Sequence, residues 1–498
     1  MARQSIFGDE LSTYWISATH GFGGVISLLY GSASIHHAEI TPPLYFVLAW
    51  MTSHLGHSVF LLRLPSLVAG VLSLPVVYLL GCRTVGRRGA LVATALTTFS
   101  PFMIYYSTEA RAYAVMMLLV MVSTLAMLIA VESGRARWWV VYAVCSCAAV
   151  YSHLTCGFVL AGQFLWLLWA HPEARGRAVV ANLGAVAGLL PWTVGFLRDF
   201  SSPTLKILSA LSPFSAHDIP IILGHWAIGY PYANSDAGVA HLPGPVALIL
   251  LAAASLVTLA GLIMRSRRRS RPALAGRTLP RTLVLVVILA LVTPLGEALV
   301  SSFSSHIFGV RNLAASWPEL ALCAAALLTA PAPRFRAAAV GLALGGFAIG
   351  AALMLNPAYS RPNYQAAADL IDARSAIHAV IDETGEISPG PLTPLDLELR
   401  RPVALVRAGS PQEHAHPFGF ADPIMALANA VAGAVGAAHG GPVAVVSTLM
   451  PPGAGIASRR QPAKPRFPAP YRLVETHVYD GLDPTEVSVY ADPARVQR

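Results

Sequence analysis

Long apolar stretches, almost free of charged residues, recur along most of this chain. Only 12% of its 498 residues are charged, whereas a soluble domain carries about 25%. A helix that spans a bilayer needs about 20 mostly apolar residues. About ten segments approach that length, and they predict an all-α polytopic membrane domain: 65–82, 90–107, 112–131, 138–154, 157–171, 178–197, 244–264, 281–302, 313–330 and 335–355.

Arginines alternate between the loops that join these segments. They are dense in the loops near residues 83–88, 135–137, 175–177, 265–281 and 334–336. The intervening loops are sparse and hold only Arg111, then Arg198 with Lys206, then Arg311. Because cytoplasmic loops carry the excess of Lys and Arg, the sparse loops are predicted to face outward. The net charge of +9 then reflects topology, and no nucleic acid partner is expected.

The topology also predicts where the rest of the chain lies. Residues 1–64 precede an outside-to-inside span and are expected outside, yet they contain no signal peptide. We therefore expect one inside-to-outside helix upstream, giving about eleven spans in all. The alternative is that insertion of the first spans carries residues 1–64 across the membrane. The Arg-rich and Ala-rich composition is typical of GC-rich bacterial genomes, so the predicted location is the bacterial plasma membrane, with multiple passes and an extracytoplasmic active site.

Three regions follow from this pattern. Residues 1–64 form a first outer loop, with an interfacial helix after Pro42 and Pro43 that carries Tyr45 and Trp50, while Trp15 lies at a similar depth. Residues 65–355 form the transmembrane domain. Residues 356–498 form a small α/β extracytoplasmic domain, in which PVALVRA and GPVAVVSTLM predict buried strands, and YRLVETHVYDG and EVSVYAD predict a closing pair.

Four polar groupings fall at outer ends of different spans, where charged groups are costly and suggest function. A carboxylate can act as a general base, and the arginine fork matches phosphate oxygens. If the four groupings converge in one cavity at the membrane surface, that cavity would suit a lipid substrate that carries a phosphate. The groupings are Asp9 with Glu10, then Glu109 with Arg111 and Tyr113, then His153, and finally His306 with Arg311 and Asn312.

Each grouping also has a structural interpretation, which the sequence leaves open. A divalent metal is possible but nothing in the sequence requires one. The structural interpretations are mutual pairing for Glu109 and Arg111, a snorkelling anchor for Arg311, helix packing for His153, and an N-cap for Asp9 and Glu10; His36 and His37 form a weak candidate pair of metal ligands.

Several segments, in order, resemble one superfamily. The segments GDELSTYW, TPPLYF, LRLPSLVAGVLSLPVVYLLG, SPFMIYYSTEARAYAVMMLL, YSHLT and GVRNLAASWPELALCAA are similar to membrane glycosyltransferases of the GT-C fold. The branch is that of protein O-mannosyltransferases, the aminoarabinose transferases of lipid A and their bacterial relatives. The resemblance covers residues 6–330 and, loosely, 335–378. The resemblance identifies the superfamily but does not indicate which sugar is transferred.

The resemblance implies a polyprenyl-phosphate sugar donor and transfer on the outer face. Asp9 matches the implied general base and Glu10 its acidic neighbour, in a loop that follows the first transmembrane helix of the family. Glu109 and Arg111 match a motif at the cavity rim, and Arg311 matches a residue implied to hold the donor phosphate. One departure is Thr41, which stands where some relatives have a phosphate-binding lysine.

The sequence therefore predicts an inverting glycosyltransferase that moves a sugar from a polyprenyl-phosphate donor to a glycan, lipid or protein hydroxyl. Asp9 is the expected base, Arg311 with Arg111 would offset charge on the departing phosphate, and Glu10 would orient Asp9 or the acceptor. The alternatives are a lipid-linked saccharide flippase without covalent chemistry and a non-catalytic scaffold. A transporter is typically built from inverted repeats with broken helices, which are not visible in the sequence.

Overall fold

The computed structural model describes residues 4–6, 8–30, 39–56, 58–201, 214–231, 244–268, 280–303, 307–384, 392–409, 425–449, 464–481 and 483–496. These residues form a helical part followed by a smaller part that contains a sheet. The described helices up to residue 353 are α1 (Gly8–Ala18), α2 (Phe22–Leu29), α3 (Leu44–Ser53), α4 (Val59–Thr84), α5 (Gly86–Phe99), α6 (Pro101–Tyr106), α7 (Tyr113–Ser133), α8 (Ala136–Ser152), α9 (Cys156–Ala170), α10 (Arg175–Leu189), α11 (Thr193–Ser201), α12 (Asp218–Ala227), α13 (Pro245–Arg268), α14 (Arg281–Phe303), α15 (Trp317–Thr329) and α16 (Pro333–Leu353).

Helical structure lies within every predicted span, and the chain is a multi-pass membrane protein. In the described part of the chain, six helical stretches are long and apolar enough to cross a bilayer: Val59–Thr84, Tyr113–Ser133, Pro172–Asp199, Pro245–Arg267, Arg281–Phe303 and Pro333–Leu353. The helices α5, α8, α9 and α15 are shorter, with 14, 17, 15 and 13 residues. The count of ten spans therefore stays a prediction.

The predicted span 90–107 differs from the structure. Helix α5 begins at Gly86 and ends at Phe99, and a separate short helix, α6, follows it. The cause is local, because Pro101 cannot continue the hydrogen-bond ladder of α5. Ser100 instead caps α6 by accepting a hydrogen bond from the backbone N–H of Met103 at 3.3 Å. After this break, α6 leads into the loop that contains Glu109.

The membrane helices pack closely where small residues face one another. A Cβ atom added at Gly81 of α4 would lie 2.8 Å from the Cα atom of Ala90 in α5, so only glycine allows this approach. On the opposite side of α4, the side chains of Val68, Val71 and Leu72 are exposed. Their spacing of three and four residues places them on one face of the helix, which is the face that contacts lipid.

The first outer region is more helical than the sequence indicates. A helix follows Pro43 as predicted, but α1 and α2 precede it, and α4 starts at Val59, before residue 65. Tyr45, expected at the lipid interface, is only 1% exposed. Its hydroxyl donates to the backbone oxygen of Leu62 at 3.1 Å and accepts from Ser66 at 2.9 Å. Helix α3 therefore packs against α4, and its tyrosine faces the protein.

The C-terminal part is a small α/β unit, as predicted. Its elements are α17 (Tyr364–Asp372), β1 (Ala379–Asp382), α18 (Pro394–Glu398), β2 (Ala404–Gly409), β3 (Met425–Ala426), α19 (Leu427–Ala437), β4 (Val443–Thr448), β5 (Arg472–Tyr479), β6 (Thr485–Ala491) and α20 (Pro493–Val496). The strand order is β3-β2-β1-β4-β6-β5; the first four strands in this order are parallel, and β6 runs antiparallel to both of its neighbours, β4 and β5. Four of the strands were expected from the sequence, whereas β1, β3 and helix α19 were not.

The carboxyl end of β4 contacts the segment that leads from the last membrane helix into the C-terminal unit. The hydroxyl of Tyr364 lies 3.1 Å from that of Thr448, the last residue of β4. The backbone N–H of Asn363 donates to the side chain of Thr485 at 3.1 Å. The segment that enters the C-terminal unit therefore runs along this edge of the sheet, and it carries Arg361 toward α1.

Candidate active site

Asp9 and Arg311, which are 302 residues apart in the sequence, form an ion pair. Asp9 lies in the first turn of α1, and Arg311 directly precedes a 3₁₀ turn, Asn312–Ser316, that leads into α15. Nη1 of Arg311 donates to Oδ2 of Asp9 at 2.9 Å. The Arg311 side chain is 47% exposed and the Asp9 side chain is 33% exposed. Both groups therefore remain accessible to a substrate.

Arg111 is held by a carboxylate that the sequence analysis did not identify. Its Nη1 donates to Oε2 of Glu39 at 2.9 Å, and its Nη2 donates to Oε1 of Glu39 at 3.3 Å and to the hydroxyl of Thr41 at 2.8 Å. Ser12 also donates to Glu39, at 2.6 Å. Burial opposes ionisation of Glu39, but Arg111 and these hydrogen bonds outweigh it and lower the pKa to about 2. Arg111 is thus already paired, and it also donates to the backbone oxygen of Asp9 at 3.3 Å.

Glu10 lies next to Asp9 in the sequence but points into the protein. It is fully buried. Arg63 donates to both of its oxygens, at 2.8 and 2.7 Å, Arg361 donates to Oε2 at 2.8 Å, and the backbone N–H of Ala110 donates to Oε1 at 2.7 Å. Burial alone would raise the pKa of Glu10, but the two guanidinium groups hold it below its usual value. Glu10 is therefore a buried anion that joins three separate parts of the chain.

Glu109 is a second buried acid beside this cluster. It is 3% exposed, and its Oε2 atom has no hydrogen-bond partner among the described residues. Burial raises the pKa of Glu109 to about 8, with Asp9 and Glu10 adding to the effect and Arg361 opposing it. At neutral pH this carboxyl group is mainly protonated, so it adds little negative charge near Asp9.

This state of Glu109 predicts a pH dependence of stability. In an unfolded chain the group titrates near 4.5. Between about pH 4.5 and 8 the folded state keeps a proton that the unfolded state has lost, so the free energy of unfolding falls as the pH rises, by up to roughly 1.4 kcal/mol per pH unit. We expect Glu109→Gln to remove this contribution, which thermal unfolding in detergent at pH 5.5 and pH 8 would measure.

The matched control is Glu132→Gln, which alters an exposed carboxylate paired with Arg83 at 3.4 Å. It should keep the wild-type difference between the two pH values. If Glu109→Gln also keeps the full wild-type difference, Glu109 is not the buried neutral acid described above.

The other predicted site residues surround the ion pair. The ring centroids of Tyr113 and His153 lie 5.2 Å apart. Burial, together with Arg111 and Arg311, lowers the pKa of His153 to about 3, so its imidazole is neutral. The side chain of Asn312 donates to the backbone oxygen of Ile307 at 2.6 Å and closes the turn beside Arg311. His153 and Asn312 therefore shape the site without adding charge to it.

The described residues also form an apolar groove of about 1100 Å³, and none of the predicted site residues is among those that line it. It runs along α8 and α10, from Gly134 and Arg177 at one end to Pro43 and Trp192 at the other. The 17 residues of α8 alone extend about 26 Å, so the groove is comparable in height to the hydrocarbon core of a bilayer. Pro43 is two residues from Thr41, so the outer end of the groove lies close to Arg111.

Within the described ranges, no three His, Cys, Asp or Glu side chains come together as a metal-binding group. His36, His37 and His306, which the sequence analysis singled out, lie outside the described residues. Three important charged residues were missed, namely Glu39, Arg63 and Arg361. Arg63 was visible as a lone charge in an apolar run, whereas Glu39 and Arg361 carried no comparable signal.

Comparisons with known proteins bear on the family and the fold. Residues 40–194 match the model of a family described as dolichyl-phosphate-mannose-protein mannosyltransferase, which is under half of the chain. A search among curated proteins finds no match.

Solved structures share the fold over nearly the whole chain. The crystal structure of ArnT from Cupriavidus metallidurans bound to undecaprenyl phosphate has a TM-score of 0.51 and 14% identity, covering 98% of this chain and 94% of that one. The apo state of ArnT has a TM-score of 0.52 with the same identity and coverage. An Archaeoglobus fulgidus oligosaccharyltransferase tethered to an acceptor peptide is less similar, with a TM-score of 0.37 and 13% identity over 74% of this chain and 54% of that one. The chain therefore shares the fold of ArnT, which agrees with the GT-C resemblance noted in the sequence.

Proposed function

We propose that this protein transfers a sugar from a polyprenyl-phosphate donor to an acceptor hydroxyl at the outer face of a bacterial plasma membrane. The observation that carries the proposal is the accessible pair of Asp9 and Arg311, joined at 2.9 Å. A general base and a phosphate-binding guanidinium are the two groups that such a transfer needs, and here they lie side by side. The acceptor is a glycan, a lipid or a protein.

The groove supports a lipid-linked donor. Its walls are apolar, with Val47, Val140 and Val144 among the lining residues, and Pro43 at one end is two residues from Thr41, whose hydroxyl accepts from Arg111. An isoprenoid tail would fill this groove while the phosphate stays at the headgroup level with the arginines. ArnT, which shares the fold, was crystallised with undecaprenyl phosphate.

The reaction is a single displacement with inversion. Asp9 accepts the proton of the acceptor hydroxyl as its oxygen attacks the anomeric carbon. The bond between that carbon and the phosphate oxygen breaks, and polyprenyl phosphate leaves with the electron pair. Arg311 stabilises the negative charge on the departing phosphate. Because Arg311 pairs with Asp9 before the donor binds, the arriving phosphate would compete for the guanidinium and release the carboxylate to act as the base.

The geometry changes the roles proposed for two other residues. Arg111 is occupied by Glu39 and Thr41, so its role is to hold the loop and the backbone of Asp9 in place. Glu10 is enclosed by arginines and has no free oxygen for an acceptor, so its role is to position Asp9. Arg311 is then the main residue that binds the donor phosphate.

The direct test uses purified full-length protein in lipid nanodiscs, with a panel of polyprenyl phosphates carrying radiolabelled sugars and with membrane extracts as acceptors. We expect label to move onto an acceptor, with release of polyprenyl phosphate. Movement of intact donor across liposomes, without any covalent product, would instead support a flippase and contradict the proposal.

Substitutions of Arg311 test its proposed contact with the donor phosphate. A hydrogen bond to a charged group contributes about 1.5–3 kcal/mol, so Arg311→Met should raise the KM for the donor about tenfold or more. Arg311→Lys keeps the charge but loses the planar fork, and its effect should be smaller. Steady-state kinetics with varied donor measure both.

The control is Arg83→Met, because Arg83 lies at the opposite end of α4 from the site and pairs there with the exposed Glu132. Its donor KM should equal that of wild type. An unchanged KM in Arg311→Met would exclude Arg311 as the phosphate ligand.

A further inference from the structure

Arg361 is 351 residues from Glu10 of α1 in the sequence, yet it contacts this helix, which carries the proposed base Asp9. It lies between the last membrane helix, α16, and the first helix of the C-terminal unit, α17, and is 4% exposed. Its Nη1 donates to Oε2 of Glu10 at 2.8 Å, and its Cζ lies 5.3 Å from the ring centroid of Tyr105. Its guanidinium is thus held between the aromatic ring and the buried carboxylate.

The C-terminal unit also contacts the chain just before Asp9. The backbone N–H of Gln365 donates to the hydroxyl of Ser5 at 2.9 Å. Leu392 and Leu397 pack against the apolar cluster that contains Ile6 and Leu11. Contacts from the C-terminal unit therefore hold the chain on both sides of Asp9.

The first turn of a helix frays more readily than its middle, and Asp9 and Glu10 both lie in the first turn of α1. Arg63 from α4 and Arg361 from the C-terminal unit together fix the carboxylate of Glu10. Because Glu10 directly follows Asp9, this fixes the backbone that carries the proposed base. A misplacement of about 1 Å can cost a reaction about 100-fold in rate.

We infer that Arg361 is a positioning residue that aims Asp9 through Glu10, so that the catalytic centre is complete only when the C-terminal unit is docked. The inference rests on the proposed function for its kinetic consequence. Its physical basis is the path from Arg361 to Glu10 and along the backbone to Asp9. Arg361 does not contact the donor in this arrangement, since Arg311 approaches Asp9 separately.

The kinetic test compares full-length Arg361→Met and Arg361→Lys proteins. We expect Arg361→Met to lower kcat at least about tenfold while the donor KM changes less than about threefold, because the Arg311 site is untouched. Lysine can still offer one charged donor to Glu10, so Arg361→Lys should recover part of the lost kcat. If Arg361→Met does not fold, a kcat of Arg361→Lys equal to that of wild type overturns the inference, and a reduced kcat at unchanged donor KM supports it.

A double variant tests the route through Glu10. If Arg361 acts through Glu10, adding Arg361→Met to Glu10→Gln should lower kcat little beyond Glu10→Gln alone, since both changes break one path. Independent, multiplicative losses would overturn the inference. The matched control is Arg401→Met, because Arg401 donates to the carbonyls of Ile371, Arg374 and Ile377 within the C-terminal unit. It should reduce stability but leave the kcat of the folded protein unchanged.

Hydrogen exchange gives a readout that does not depend on activity. In Arg361→Met, the amides of residues 8–18 should exchange at least about tenfold faster than in wild type or in Arg401→Met. If wild type transfers no sugar, the proposed function fails, but this measurement still decides whether Arg361 holds α1. Unchanged exchange in this peptide would overturn the positioning role even in an active enzyme.

Discussion

Asp9→Asn protein is expected to transfer sugar at least about 100-fold more slowly than wild type, because a general base typically contributes 100-fold to 10,000-fold. The asparagine oxygen can still accept the hydrogen bond from Arg311, so the fold and the donor site should be kept. The measurement is the single-turnover rate with donor bound and acceptor in excess. Thermal unfolding of the same preparation verifies that the protein is folded.

Asp369→Asn is a matched control, since Asp369 pairs with Arg400 at 3.1 Å on the exposed surface of the C-terminal unit. It makes the same chemical change at an exposed ion pair that does not include Asp9 or Arg311, and it should transfer at the wild-type rate. A rate within threefold of wild type in Asp9→Asn would reject Asp9 as the base and leave the transfer without an identified proton acceptor.

Glu10→Ala should have the largest effect on stability. The substitution removes the carboxylate that accepts hydrogen bonds from two buried guanidinium groups, Arg63 and Arg361, at 2.7 and 2.8 Å. Breaking a buried ion pair by removing one partner typically costs about 3–5 kcal/mol, because the remaining charge is left uncompensated. We expect a strongly lowered unfolding temperature in detergent, or no folded protein at all.

The comparison is Glu132→Ala, whose carboxylate pairs with Arg83 at 3.4 Å while 55% exposed. Exposed pairs contribute about 0–1 kcal/mol, so this variant should unfold close to the wild-type temperature. Equal unfolding temperatures for the two variants would show that the buried cluster around Glu10 does not stabilise the fold.

The helical framework was predictable because its cause is local. Apolar runs of nearly bilayer length mark the helices. The alternation of Arg-rich and Arg-poor loops predicts which loops share one side of the membrane. Where a local rule was overlooked, the prediction failed, as at Pro101, which ends α5 before residue 100. Strands such as Val443–Thr448 were visible for the same reason, since a short run of buried branched residues marks them.

The pairing of charged residues was not predictable in the same way. The sequence marks Asp9, Glu10, Arg111 and Arg311 as unusual, but their partners lie far away along the chain. Arg111 pairs with Glu39, which is 72 residues earlier, and Glu10 pairs with Arg361, which is 351 residues later. Hydropathy carries no information about such pairs, and therefore the adjacent acids Asp9 and Glu10 could not be separated into an accessible residue and a buried one.

The separation between Glu10 and Arg361 bears on how the protein is made. A ribosome adds about 5–20 residues per second, so Glu10 is synthesised on the order of 20–70 s before the arginine that completes its charge balance, 351 residues later. During translation only Arg63 can neutralise it. Chains that terminate early would leave the membrane helices inserted but Glu10 without Arg361, so under the positioning role proposed above an incomplete product would be inactive.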